Sequence, residues 1–174
     1  ILEGLGQIGV FVAARRRRVV ELARTWLEVD WPDTAPTAMT SFFIGLREDN
    51  GSALWLNLER PHGGNEVHAP HTLIAGETGG GKGVLMQNLL LQMISFNDPR
   101  KLRIRLIDPK AGVDYAWIKR APHLDGGSVT DPAAAKASLA ELVQEMESRY
   151  QRMAAKDVNH INDYNDLVPE ADRL

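Results

Sequence analysis

His71-Thr72-Leu73-Ile74-Ala75-Gly76-Glu77-Thr78-Gly79-Gly80-Gly81-Lys82-Gly83, followed by the apolar run Val84 to Ile94, is the stretch on which the fold turns. Taking Gly76 and Gly81 as fixed points gives G-x-x-x-x-G-K, the spacing of a phosphate-binding P-loop up to its last position. That position calls for Ser or Thr, and here it is Gly83. The physical demands of such a loop are met by its neighbours. A short apolar strand, Thr72 to Ala75, must turn sharply into a helix while several backbone N–H groups point inward. Glycines at 76, 79, 80 and 81 permit the positive φ angles and close backbone approach this needs. The helix behind adds its unpaired N-terminal N–H groups and the positive end of its dipole. Lys82 supplies a point charge that reaches the β and γ phosphates. The alternative, a flexible glycine-rich hairpin or linker, leaves the strand before, the helix after and the lysine unexplained.

Gly83 bears on chemistry. The Ser/Thr oxygen of the usual loop is a ligand of the Mg²⁺ that bridges the β and γ phosphates. With glycine there, a water has to fill that coordination position, which Mg²⁺ accepts because it keeps several waters.

The regions around the loop read in turn. A chain of 174 residues with 44% hydrophobic content suits one compact domain, or one domain with a fragment of another. A net charge of −3 argues against a wholly basic nucleic-acid-binding module. The absence of cysteine excludes disulfides and thiolate zinc sites and fits a reducing cytosol. His62, His68, His71, His123 and His160 form no metal-ligand spacing and read as surface or turn residues.

Ile1 to Ala14 is mostly apolar but carries Glu3, Gln7 and three glycines, and Arg15 to Arg18 follow it. Three readings stand for this segment: the cytoplasmic end of a membrane anchor, a soluble helix with a solvated arginine face, or an arginine patch for phosphate contacts. An amphipathic helix is expected over Val19 to Val29. We divide the chain into residues 1–30 as an N-terminal helical segment, 31–40 as a linker broken by Pro32 and Pro36, and 41–174 as the main domain. Ser41 to Leu46 and Ala53 to Leu58 flank Asp49-Asn50-Gly51-Ser52, a strong hairpin signal. Glu59 to Pro70 reads as a loop. The chain also reads as a piece of a longer one, since it starts at Ile1 and stops after a polar stretch.

Behind the loop, the run from Val84 to Ile94 leaves little polar face, so that helix is expected to be buried against a sheet, ending at Asn97-Asp98-Pro99. Leu102, Ile104 and Leu106 alternate with Arg103 and Arg105 as a strand with one wet or partly covered face. Strand, helix and strand make a βαβ unit, hence an α/β fold with a parallel core. Asp108 closes this second strand. It has the position of an acidic residue that holds Mg²⁺ through water, but Asp-Pro is a common turn start and no Glu follows, so we read it as a structural or site-edge residue. Asp131 and Pro132 open a long helix whose Leu139, Leu142, Val143, Met146, Tyr150 and Met153 repeat at helical spacing and read as core.

Several of these pieces together resemble the motor domain of the FtsK/SpoIIIE family within the FtsK/HerA group of RecA-like ATPases. They are Pro70 to Gly76, Thr78 to Lys82, Ile107-Asp108-Pro109-Lys110, Pro122-His123-Leu124, Val129-Thr130-Asp131 and Glu145 to Tyr150, followed by Tyr164-Asn165, in order and in register. The resemblance implies a RecA-like three-layer sandwich with a largely parallel central sheet, preceded by the N-terminal helix and hairpin. It implies an ATPase that binds ATP and Mg²⁺, assembles as a homo-oligomeric ring, usually a hexamer, and drives double-stranded DNA in chromosome segregation or conjugative transfer. The site would comprise Gly76, Glu77, Thr78, Gly79, Gly80, Gly81, Lys82, Gly83 and Val84, with Lys82 catalytic and no protein metal ligand. It further implies a cytoplasmic location, at the cell membrane where N-terminal helices anchor the motor, and an acidic catalytic pair beyond Leu174.

This sequence departs from the family at three places. Gly80 stands for a small hydroxyl residue, Gly83 for the metal-binding one, and Lys156-Asp157 where family members tend to have glycine. A second reading follows from the first two: a nucleotide-binding assembly module with weak or no hydrolysis. A P-loop kinase or GTPase fits less well, since no base-recognition or acceptor motif is present. Arg100, Lys101, Lys119 and Arg120 read equally as DNA-channel contacts and as solvated charge.

Overall fold

A computed structural model describes residues 22–31, 40–58, 67–68, 71–110 and 112–174. The Ile1 to Arg18 segment, most of the 31–40 linker and most of the loop before Pro70 lie outside the described residues. The chain divides into two compact units, one carrying the described residues up to Thr72 and the other running from Leu73 to Leu174.

In the first unit, α1 (Leu22–Glu28) precedes a hairpin of β1 (Ser41–Leu46) and β2 (Ala53–Asn57). The strands are antiparallel, with Phe42 opposite Leu56 and Phe43 opposite Trp55, and a bulge before Gly45. Gly51 takes φ +72°, which the expected Asn-Gly turn requires. The unit's core is aromatic. Phe43 meets Trp55 edge-to-face at 5.8 Å, Trp55 meets Trp31 at 5.5 Å, and Trp31 meets Trp26 of α1 at 5.3 Å.

The second unit contains α2 (Lys82–Phe96), β3 (Ile104–Ile107), β4 (Leu124–Val129), α3 (Pro132–Ala154) and α4 (Ile161–Leu167). β3 and β4 pair in parallel, so the expected parallel α/β core is present in this pair. Ile104 faces Leu124, but Leu106 faces Ser128, so β4 spends extra residues between those rungs. Gly126 and Gly127, at φ +78° and +75°, absorb them. On one side of this pair Leu90 of α2 packs with Ile104, Leu106 and Ile118, flanked by Met93, Ile94 and Tyr115.

Three expectations need correction. Residues 72–75 are extended but join no strand ladder among the described residues, and Leu73 is 90% exposed. A strand exists only through its neighbour's hydrogen bonds, and none is offered here. Secondly, α2 is buried over its second half only: Leu89 and Leu90 are covered, while Val84 is 71% exposed. Four residues of β3 span about 13 Å and fifteen of α2 about 22 Å, so the first turns project past the strand. Thirdly, the α3 stripe is not core. Leu139, Leu142, Val143, Met146 and Tyr150 are all exposed, and Met153 alone of the six is buried. α3 meets the sheet through polar groups instead: Arg105 donates to Ser138 Oγ at 3.3 Å and to Glu141, and also pairs with Asp125 of β4 at 3.0 Å.

The ends of α3 follow the expected chemistry. Asp131 accepts a hydrogen bond from Ala134 N at 2.8 Å, with Pro132 in the first turn. At the far end Val158 N donates to Met153 O and Asp157 N to Ala154 O, with Asp157 at φ +56°. This is a Schellman closure, and its left-handed position explains why glycine suits that site. His123 is buried, contrary to the surface reading, and its Nε2 lies 2.8 Å from Asn97 O. Among the described residues no helix is long and apolar enough to cross a membrane.

Candidate phosphate-binding site

The loop before α2 turns at Glu77, whose carbonyl accepts from Gly80 N at 3.1 Å. Positive φ occurs at Gly79 (+79°) and Gly81 (+88°), not at all four glycines. Gly80 is required for a different reason: a Cβ there would lie 3.1 Å from Glu77 O. Gly76 lies beneath the Lys82 stem, 3.6 Å from its Cγ to the position a Cβ would take.

Gly81 caps α2 in the left-handed conformation without a side-chain hydrogen bond, and the first turn contains no acidic residue. The helix therefore presents its N-terminal N–H groups and positive dipole end without competition from a carboxylate cap. Lys82 Nζ donates to Gly76 O at 2.7 Å and Glu77 O at 2.6 Å. An ammonium has three donors, so one is left for an anion while two brace the loop. Gly76 to Gly81, Thr78 and Glu77 included, are solvent-exposed, as are Gly83 and Val84, so the whole predicted set is gathered in one accessible turn.

These residues fit a polyphosphate. They supply no oxygen for a metal at position 83, where a Cβ would meet nothing within 4 Å. Among the described residues no group of three His, Asp or Glu is placed to hold a metal ion. Mg²⁺ would therefore be held by nucleotide phosphates and waters.

Two residues at this edge escaped the sequence reading. Gln87 Nε2 donates to Asp114 O at 3.0 Å, tying α2 to the loop that follows β3. Its polarity within an apolar run was the available signal. Asp108 forms the turn expected of Asp-Pro, its Oδ1 accepting from Lys110 N at 3.0 Å. It is also buried, and its Oδ2 has no partner. Arg100, one of the ambiguous cations, is paired with Asp98 at 2.8 Å.

The geometry defines a class first: an α/β protein with a glycine-rich anion loop at the head of a helix. Within that class the chain belongs to the FtsK/SpoIIIE family, whose model matches residues 37–174. It is 43% identical over 126 residues to the DNA translocase FtsK of Mycobacterium tuberculosis, covering 72% of this chain and 14% of that protein. It is 34% identical over 169 residues to the DNA translocase SftA of Bacillus subtilis, covering 97% of this chain and 16% of that one. The chain thus spans less than a fifth of the length of these relatives. The fold is shared with the pCW3 conjugation coupling protein TcpA, solved as a monomer with ATPγS, at a TM-score of 0.60 and 23% identity over 83% of this chain and 36% of that one.

Proposed function

We propose that this chain is the nucleotide-binding part of an ATP-hydrolysing motor that translocates double-stranded DNA, and that its fold is completed as a RecA-like three-layer sandwich in a homo-oligomeric, probably-hexamer-sized ring is not needed for its first step, phosphate capture. The observation that carries this is the loop itself: left-handed Gly79 and Gly81, an uncapped helix N-terminus and a lysine with one donor to spare. Membership of a family with DNA translocases among its relatives gives the motor and its DNA substrate. In this reading the backbone of Gly79 to Gly83 and Lys82 hold the β and γ phosphates, and Lys82 offsets charge that develops during transfer. Mg²⁺ arrives with the nucleotide, a water standing where a hydroxyl at 83 would bind. Six subunits in a ring around the DNA, in the cytoplasm and at the cell membrane where an anchor is present, complete the proposal.

A second reading is favoured by Gly83 alone: a module that binds ATP to assemble, without turnover. DNA-stimulated ATP hydrolysis by the full-length protein separates the two. Turnover that rises with double-stranded DNA and is lost in Lys82→Ala supports the motor. Nucleotide binding without turnover, with activity gained in Gly83→Ser, supports the assembly module; the open space at 83 accommodates the serine.

A further inference from the structure

Asp108 occupies a position that turn formation does not account for. Its Oδ1 is used on Lys110 N, a bond that an asparagine would make equally well. Its Oδ2 is a desolvated carboxylate oxygen without a donor, in a residue 5% exposed. Such an atom is a cost to the fold unless a bound molecule supplies the hydrogen bond.

The packing locates that oxygen. α2 and β3 run in opposite directions. Asn97, at the end of α2, accepts or donates at its carbonyl only with His123 Nε2, and His123 O accepts from Ile104 N at the start of β3. Leu90 packs with Ile104 and Leu106, and Gln87 reaches the loop beyond β3 at Asp114 O. Ile104, Leu106 and Asp108 alternate onto one face of the strand, and all three are buried. Asp108 is about 7 Å past Leu106 along the strand, which is four to five residues of helix at about 1.5 Å each. That rise carries it from the level of Leu90 to about Met86 or Leu85, one turn short of Lys82. The carboxyl end of a parallel strand is also where α/β folds receive ligands.

We propose that Asp108 Oδ2 accepts the hydrogen bond of the water that attacks the γ-phosphate. This rests on the ATP-hydrolysing reading above. The water oxygen bonds to Pγ while the bond from Pγ to the β–γ bridging oxygen breaks. ADP leaves with that oxygen, and the water's proton passes by way of Oδ2 to the released phosphate. Gln87, by holding Asp114 O, is the positioning residue that keeps the loop after Asp108 against α2.

The test is Asp108→Asn in the full-length protein, which keeps the acceptor for Lys110 N. Three quantities are measured with Mg²⁺ present: affinity for ADP, affinity for ADP with aluminium fluoride, and ATP turnover. Turnover falls by about 100-fold, the scale of a lost general base. Fluoride-complex affinity falls at least about tenfold while ADP affinity stays within about twofold, because only the transition-state mimic carries the in-line water. Wild-type turnover and fluoride affinity in Asp108→Asn overturn the proposal and leave Asp108 a turn former. Equal losses for ADP and its fluoride complex also overturn it, assigning Asp108 to ground-state binding. A wild type that binds nucleotide but does not hydrolyse it overturns the motor reading and this proposal together, whereas a wild type that hydrolyses ATP beside an equally active Asp108→Asn overturns this proposal alone.

Discussion

Glycines 80, 81 and 83 are one residue type used in three ways. Gly81 sits at φ +88°, where an L side chain costs about 1–2 kcal/mol. Gly81→Ala is therefore expected to lower the thermal midpoint and to weaken binding of ATPγS, measured by scanning fluorimetry and calorimetric titration. Gly80 has an ordinary φ but no room, since a Cβ would stand 3.1 Å from the Glu77 carbonyl that braces Lys82. Gly83 has ordinary backbone and open space. Gly83→Ser gains about 0.5 kcal/mol of helix propensity and should leave the fold intact, so any change in turnover reports on the metal. The spacing of the motif was visible in the sequence. Which glycine is there for φ and which for clearance was not, because that depends on where Glu77 O points.

Helix ends were read more securely than helix faces. The Asp131 cap on α3 is present, and Asp131→Ala should destabilise the second unit by about 1 kcal/mol in urea titration. Asp157 closes the same helix at φ +56°, so Asp157→Gly is expected to raise stability by up to about 1 kcal/mol, and a lower urea midpoint would count against this. Caps are legible because they depend on hydrogen bonds between residues three or four apart. Faces are not: the apolar spacing of Leu139 to Tyr150 predicts one side of a helix, but only a packed neighbour makes that side a core. β4 went unrecognised for a related reason. Leu124-Asp125-Gly126-Gly127-Ser128-Val129 has weak strand propensity, and pairing with β3 overrides it.

Charge couples the second unit together. Arg105 reaches Asp125 on β4 and Glu141 on α3, so one guanidinium spans two strands and a helix. The hydrogen bond from Arg105, opposed by desolvation and helped by Arg103, holds the Asp125 carboxyl below the ordinary carboxylate range. A carboxylate depressed in the folded state contributes stability at pH above its unfolded value, near 3.8, and loses that contribution as pH falls toward the lower folded value. The urea midpoint of the second unit should therefore drop below about pH 4, and Asp125→Asn should flatten that dependence while lowering the midpoint at neutral pH. A pH profile unchanged by the substitution would show that the ion pair is screened by water.

Motif spacing, helix caps, the hairpin turn and the α/β class were determined by the sequence alone, because each rests on bonds between residues close along the chain. The family followed from the same local pieces taken in order. Tertiary structure alone decided the burial of Asp108 and His123, the parallel pairing of β4, and the exposure of the Leu73 segment and the α3 stripe. These depend on which distant residue comes to lie opposite, and a side chain's chemistry does not carry that information until the chain has packed.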